Sequence, residues 1–135
     1  MISELSAAIA ANDETRVRAL IAASPEPVVL VNALFTGHNN YSRPLNAAVG
    51  RDTTTRIACV LIEAGASVHN RNDMDETALH VAARVGNPQG AATLLRYGAD
   101  VHAVGRDRRP ILEITINMGS KSVAWVLIQN GATRP

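Results

Sequence analysis

The sequence contains few aromatic residues and almost no cysteine. Four aromatic side chains occur among 135 residues, and nearly half of the chain is hydrophobic, with alanine abundant. This composition favours tightly stacked small helices over a β-sandwich or a barrel. The one cysteine, Cys59, excludes an intrachain disulfide bond. We therefore expect a reducing compartment, with the cytoplasm as the location.

The chain also lacks an excess of charge and a long apolar run. Thirteen Lys and Arg residues stand against twelve Asp and Glu residues, for a net charge of +1. This balance argues against a general nucleic-acid binder, which needs many cations to displace the counterions along phosphate. No apolar stretch is long enough to span a bilayer, and the N-terminus lacks the cationic start of a secretory signal. We expect a soluble protein without nucleic-acid or membrane partners.

One stretch, residues 75–101, has a clear local pattern. Thr77 can cap a short helix, and Gly86 suits the left-handed position just past its end. Asn87 followed by Pro88 then provides an N-cap with proline at the first position of a second helix. Gly98 ends that helix. The stretch predicts two short helices joined by a glycine turn.

The same pattern recurs along the chain with a period of 33 residues. Gly65, Gly98 and Gly131, each followed by alanine, are spaced by 33, and so are Thr77 and Pro110. Residues 77–82 read Thr-Ala-Leu-His-Val-Ala, which resembles the T-P-L-H-x-A signature of the ankyrin repeat, a family with this period. The resemblance covers nearly the whole chain.

The resemblance implies an all-α fold, an ankyrin-repeat solenoid of stacked helix-turn-helix pairs with protruding β-hairpin-like loops, which we call fingers. We expect one domain, residues 1–135, with repeats at about 3–24, 43–65, 77–98 and 110–131. The first and last repeats resemble caps. Residues 25–42 form a longer connection, which we interpret as an extended finger because the run at 28–31 has β-forming character. The alternative is that Leu34 and Phe35 fold back over the first helix pair.

No motif indicates catalysis, a metal or a cofactor. His80 occupies the family position at which the histidine hydrogen-bonds locally, so we assign it a structural role. Cys59 is interpreted as a packing thiol, because no residue near it in sequence is placed to activate it. Phosphate-binding loops, paired carboxylates and zinc-type Cys/His spacings are absent. We predict no catalytic residues, no metal and no cofactor.

Three classes of function stay open at this point. The leading one, implied by the resemblance, is a non-catalytic module that binds a partner protein through the concave face and the fingers. The second is a dedicated inhibitor or immunity-type subunit that neutralises one enzyme or toxin. The third and least favoured is an enzyme whose site assembles from residues distant in sequence.

The resemblance also places the contact surface on the fingers and on the exposed sides of the first helices. Arginine recurs at these places, so we expect a locally positive face and an acidic protein partner, with Arg84 central and an aromatic anchor. The alternative is that these arginines only solubilise the loops. The predicted contact residues are Phe35, His38, Asn39, Asn40, Tyr41, Arg51, Arg71, Asp73, Met74, Glu76, Arg84, Arg106 and Arg109. Trp125, which we expect to be exposed, indicates a monomer or weak self-association through the C-terminal cap.

Overall fold

The structure is a computed structural model that describes residues 2–35, 42–51 and 55–132. Within these ranges the secondary structure is helical, and the one β pairing is an isolated bridge between Val104 and Pro110. The helices are α1 (Ile2–Ala10), α2 (Glu14–Ala23), α3 (Pro27–Val31), α4 (Pro44–Arg51), α5 (Arg56–Glu63), α6 (Ala78–Val85), α7 (Pro88–Arg96), α8 (Ile111–Asn117) and α9 (Lys121–Gln129). The prediction of an all-α fold is confirmed.

Eight of these helices form four antiparallel pairs stacked in a row. The first helices α1, α4, α6 and α8 contact one another in that order, and α7 packs against α9 in the second row. Small side chains allow this close approach: Ala82 and Ala83 on α6 are fully buried between neighbouring first helices. The architecture is the predicted solenoid of helix pairs.

Helices α5, α6 and α7 contribute apolar side chains to the core. Leu79, Leu94 and Val60 are buried, whereas Leu95 is half-buried at the edge of the cluster. The predicted helix ends are also found. Thr77 caps α6, Gly86 follows it with a φ of 75°, and Asn87 caps α7 by accepting a hydrogen bond of 3.0 Å from the Gly90 N–H.

The long connection differs from the predicted finger. Residues 27–31 form α3 instead of extended backbone, because Pro27 is suited to the first helical position and the helix buries Leu30 and Val31. Packing thus overrides the β-propensity of the valines. Phe35 is buried and Leu34 is exposed, so the fold-back alternative holds for Phe35 alone.

Asn32, directly after α3, fastens this connection to the second repeat. Its Nδ2 donates to the carbonyl oxygens of Val28 (2.7 Å) and Gly65 (3.0 Å). Its Oδ1 accepts from Ser67 N (2.8 Å) and Asn70 Nδ2 (2.6 Å). The inserted helix is therefore an integral part of the stack.

Candidate functional site

Two neighbouring loops, finger 3 (residues 66–76) and finger 4 (residues 99–109), are joined by arginine side chains. Arg71 Nη1 donates to the carbonyl oxygen of Val104 at 2.8 Å and to that of Asp75 at 2.9 Å. In the opposite direction, Arg106 Nη2 donates to the carbonyl oxygen of Asp73 at 2.9 Å. The two fingers therefore lie side by side with their tips in register.

The tip of finger 3 is shaped by Asn72. Its Oδ1 accepts from the backbone N–H groups of Met74 and Glu76, each at 2.9 Å, and its backbone N–H donates to the Glu76 carbonyl oxygen at 2.9 Å. Asp75 takes the left-handed conformation with a φ of 59° within this turn. The turn leaves the Met74 side chain exposed.

Most arginines predicted to make the face positive are engaged with carboxylates. Arg84 Nη2 lies 3.2 Å from Glu76 Oε1, which links the end of α6 to finger 3. Arg109 Nη2 lies 3.0 Å from Glu113 Oε1, and Arg71 Nη1 lies 3.7 Å from Asp75 Oδ1. The predicted locally positive face therefore also carries anions: cations and carboxylates alternate, because acidic residues of finger 3 and of α8 lie beside the arginines.

A cleft of about 290 Å³ opens between the two fingers. Apolar contacts on its wall come from Met74 and Ile114, and the backbone of finger 4 closes one side. The full lining comprises Met74, Glu76, His80, Gly105, Arg106, Asp107 and Ile114. The cleft thus lies where the tips of fingers 3 and 4 meet.

His80 lies at the bottom of this cleft with 1% of its surface exposed. Its Nδ1 accepts a hydrogen bond of 3.1 Å from the Thr77 backbone N–H and lies 2.8 Å from the Thr77 hydroxyl. The predicted local hydrogen bonding of His80 is thus confirmed. Among the described residues, its buried Nε2 has no hydrogen-bond partner.

The charge state of His80 follows from its burial. Burial lowers the pKa of this imidazole, with a smaller lowering from the Arg71 guanidinium; the carboxylate of Glu76 acts in the opposite direction. The side chain is therefore neutral near pH 7. Because Nδ1 accepts from a backbone N–H, the ring proton is on Nε2.

The predicted contact residues divide into four groups, of which the buried Phe35 is the last. Those brought together around the cleft are Arg71, Asp73, Met74, Glu76, Arg84, Arg106 and Arg109. Arg51 is exposed at the end of α4, away from the lining of the cleft. Predicted contacts that lie outside the described residues are His38, Asn39, Asn40 and Tyr41.

Phe35 is the predicted contact residue that the structure buries in the core. Only 2% of its surface is exposed, and its backbone N–H donates to the Ser42 carbonyl oxygen at the base of the connection. An apolar side chain in the core cannot anchor a partner at the surface. The assignment of Phe35 as a contact residue is therefore wrong, and Met74 is the exposed apolar side chain at the cleft.

Four residues that line the cleft are not among the predicted contact residues, namely His80, Gly105, Asp107 and Ile114. The period offered a partial signal, because Ile114 stands one period after Val81, which is fully buried in the preceding repeat. Within the described ranges, no three His, Cys, Asp or Glu side chains are grouped to hold a metal ion. The helices described there are all too short or too polar to cross a membrane.

Comparison with known proteins identifies the repeats. A family model described as ankyrin repeats (3 copies) matches residues 5–105. The human neurogenic locus notch homolog protein 1 is 39% identical over 70 residues, which cover 51% of this chain and 3% of that protein. The bovine protein fem-1 homolog C is 30% identical over 105 residues, which cover 69% of this chain and 16% of that protein. The chain thus spans a small part of the length of these relatives. It belongs to the ankyrin repeat family.

Proposed function

We propose that the chain is a non-catalytic module that binds a partner protein through a surface we call the finger face. This surface comprises Asp73, Met74, Glu76, Arg84, Arg106, Asp107 and Arg109. Ankyrin repeats are in general protein-interaction modules, and the finger face is the specific surface that we assign to this role. The cross-bonds from Arg71 to Val104 and from Arg106 to Asp73 are the observation that supports this assignment most directly.

These cross-bonds favour binding because they hold the fingers before a partner arrives. Ordering loops and side chains at an interface reduces the net binding free energy. Here the backbone of finger 3 is fixed by Asn72, and both fingers are tied to each other. The exposed Met74 beside Arg106 then combines an apolar contact with a fork of N–H donors, a combination typical of interface hot spots.

An acidic partner fits Arg106 in particular. Its guanidinium makes one hydrogen bond of 2.9 Å to a backbone carbonyl and no ion pair with the described residues. Its other N–H donors can bind a carboxylate of the partner, with both of its oxygens engaged. Arg84 and Arg109 already have carboxylate partners, so we assign the main acidic contact to Arg106 instead of Arg84. His38, Asn39, Asn40 and Tyr41 stay proposed contacts.

Affinity capture with matched variants tests the finger face. The chain, its Arg106→Glu variant and an Arg96→Glu control are used in parallel as bait in a lysate from the native source. Arg96 is an exposed arginine at the end of α7, outside the finger face. We expect one protein to be retained by the chain and by the control but lost from Arg106→Glu, with a salt-sensitive affinity. Equal retention by all three folded baits would reject the finger face.

We also propose that the module works in the cytoplasm. Its one thiol, Cys59, is half-buried on α5 and unpaired, as expected of a chain kept in a reducing compartment. Fractionation of the native cells with an antibody against the chain tests this location. Recovery in an oxidising compartment would contradict it.

Weak self-association through the last repeat is a second proposal, and the exposure of its end supports it. Ile116 on α8 is 52% exposed, whereas Ala83, one period earlier, is fully covered by the fourth repeat. Trp125 and Ile128 on α9 are exposed as well. The fourth repeat thus exposes apolar side chains on the side that is buried in the third repeat. A second copy of the chain can cover this surface.

Sedimentation equilibrium over a wide concentration range tests this second proposal. We expect weak, concentration-dependent dimers that an Ile116→Ser, Trp125→Ser double variant abolishes. Val29→Ser is the control, because Val29 is an equally exposed apolar residue on α3. A monomer at every concentration would reject self-association through this end.

A further inference from the structure

The cleft between fingers 3 and 4 contains an arrangement of polar atoms that suits a particular ligand group. Its floor is the His80 Nε2–H, a buried donor without a hydrogen-bond partner among the described residues. A buried donor left unpaired costs free energy, because it has lost its hydrogen bonds to water without replacing them. A ligand that brings an acceptor to this atom recovers that free energy.

Acceptor atoms surround the same place. A Cβ atom built on Gly105 would lie 3.7 Å from His80 Nε2, 3.7 Å from the Asp75 carbonyl oxygen and 3.8 Å from Asp107 Oδ1. One donor and two acceptors therefore converge beside the Gly105 backbone. A Cβ atom there would meet nothing closer than 3.7 Å, so the space beside Gly105 is unfilled.

The charges around the cleft restrict which ligand can use this donor. A carboxylate bound at Nε2–H would lie beside the carboxylates of Glu76 and Asp107 on the same wall. The Arg106 guanidinium also lines the cleft, but the proposed function assigns it to a different carboxylate of the partner. An ammonium group would be attracted by these carboxylates but offers no acceptor to Nε2–H. A neutral group with an acceptor and a donor satisfies both kinds of atom.

We propose that this cleft binds a primary carboxamide, the end of an Asn or Gln side chain of the partner protein. The amide oxygen accepts from His80 Nε2–H, and the amide nitrogen donates to Asp107 Oδ1 or to the Asp75 carbonyl oxygen. Met74 and Ile114 contact the aliphatic part of the side chain. A cleft of about 290 Å³ is at the small end of ligand sites and suits one side chain. This inference rests on the proposed function, because it places a partner residue on the finger face.

A small-molecule titration tests the cleft without the partner. N-acetyl-glutamine methylamide is added to isotope-labelled chain while the imidazole signals of His80 are followed by NMR. The corresponding glutamate and norleucine derivatives serve as controls of similar size. We expect saturable shifts of the His80 signals at millimolar concentration with the glutamine derivative alone. No shift, or equal shifts with all three compounds, would overturn the carboxamide site.

Gly105→Ala provides a variant that preserves the fold. The added methyl group is in ordinary van der Waals contact with its surroundings, and Gly105 does not have a positive φ, so no strain is expected. The added methyl group occupies the space beside His80 Nε2, so Gly105→Ala should weaken binding of the glutamine derivative by about tenfold or more. Ser122→Thr adds one methyl group on the exposed side of α9 and should leave the affinity unchanged.

The result separates the two proposals. Binding of the glutamine derivative that Gly105→Ala does not weaken would place it outside the cleft and reject this inference. Loss of the partner from Arg106→Glu together with an inert cleft would retain the finger face and reject the carboxamide alone. Glutamine-specific binding blocked by Gly105→Ala, with partner capture insensitive to Arg106→Glu, would retain the site and reject the finger face.

Discussion

The junction between the second and third repeats is tied by the amide side chains of Asn46 and Asn87, whereas the side-chain bonds between the third and fourth repeats come from the finger arginines Arg71 and Arg106. Asn46 Nδ2 donates to the Glu76 carbonyl oxygen at 3.0 Å, and Asn87 Nδ2 donates to the Val49 carbonyl oxygen at 2.9 Å. At the next junction His80 replaces Asn46, and its bonded nitrogen caps its own helix. Ser120 replaces Asn87 and makes no side-chain bond to the start of α9.

This difference explains why the cleft lies where it does. Asn46 uses its donor to span the gap between repeats, so the third repeat is held against the second. His80 uses its Nδ1 locally, and its Nε2 is left to face the space between the fingers. One position of the repeat can thus either fasten two repeats together or provide a binding group.

The largest expected effect comes from removing core leucines, and it should differ between the third and fourth repeats. Leu94→Ala should lower the free energy of unfolding by about 4–5 kcal/mol, near the upper end for a buried leucine, because α7 is enclosed by its neighbours. Leu127→Ala, one period later on α9, should cost about 2–3 kcal/mol because the end of the stack can relax into the cavity. Urea unfolding of both variants gives the values. Equal losses would show that the last repeat is packed as firmly as the third.

Removing the hydrogen bonds of Asn87 should have the next largest effect on the free energy of unfolding. Asn87→Ala removes the cap of α7 and leaves the Val49 carbonyl oxygen buried without this donor, which should cost about 2–4 kcal/mol. Ser120→Ala, its counterpart one period later, should cost about 0.5 kcal/mol or less. The same unfolding assay measures both. A similar cost at the two positions would contradict the contrast between the junctions.

Sequence patterns predict the repeats of this molecule better than its insertion. The 33-residue period, the caps Thr77 and Asn87 and the Gly86 turn act within one repeat, so local rules locate the helix pairs. The helix α3 depends on Asn32, which bonds to Gly65 and to residues beyond it in another repeat. Such contacts join residues more than 30 positions apart, and the run of valines alone favours a strand.

The finger face was predictable in position but not in its charges. The period identifies which residues are on the fingers, and the structure brings Met74, Glu76 and Arg106 together at one cleft. The ion pair between Arg84 and Glu76 joins residues eight apart, which are not neighbours on any regular helix. It joins the last residue of finger 3, directly before the Thr77 cap, to the last turn of α6. The free Nε2 of His80 likewise depends on where finger 4 lies.

The pH dependence of stability should sharpen the contrast between Asn46 and His80. Burial lowers the pKa of His80 in the folded chain, while the unfolded chain binds a proton near pH 6.5. The unfolded state therefore binds more protons as the pH falls below about 7, and stability declines by up to about 1.4 kcal/mol per pH unit until the folded-state pKa is reached. Above that window the contribution is complete and constant.

Comparing the chain with a His80→Gln variant isolates this contribution, because glutamine does not titrate. Unfolding by urea between pH 7 and pH 5 should show a decline in the chain that is smaller in the variant. Parallel curves for the two proteins would indicate that His80 does not control this window.

The smallest expected effect concerns the ion pairs on the finger face. The side chains of Arg84 and Glu76 are 28% and 17% exposed, whereas those of Arg109 and Glu113 are 43% and 35% exposed. Partial burial reduces solvent screening, so a double-mutant cycle with Arg84→Gln and Glu76→Gln should give a coupling of about 0.5–1 kcal/mol. The second pair should give about 0.3–0.5 kcal/mol, in the lower part of the range for exposed ion pairs. Both couplings should decrease with added salt, and the more exposed pair should lose a larger fraction. A stronger coupling at Arg109 and Glu113 would mean that the fourth repeat holds its finger more firmly than the third repeat does. That result would go against the contrast between the two junctions.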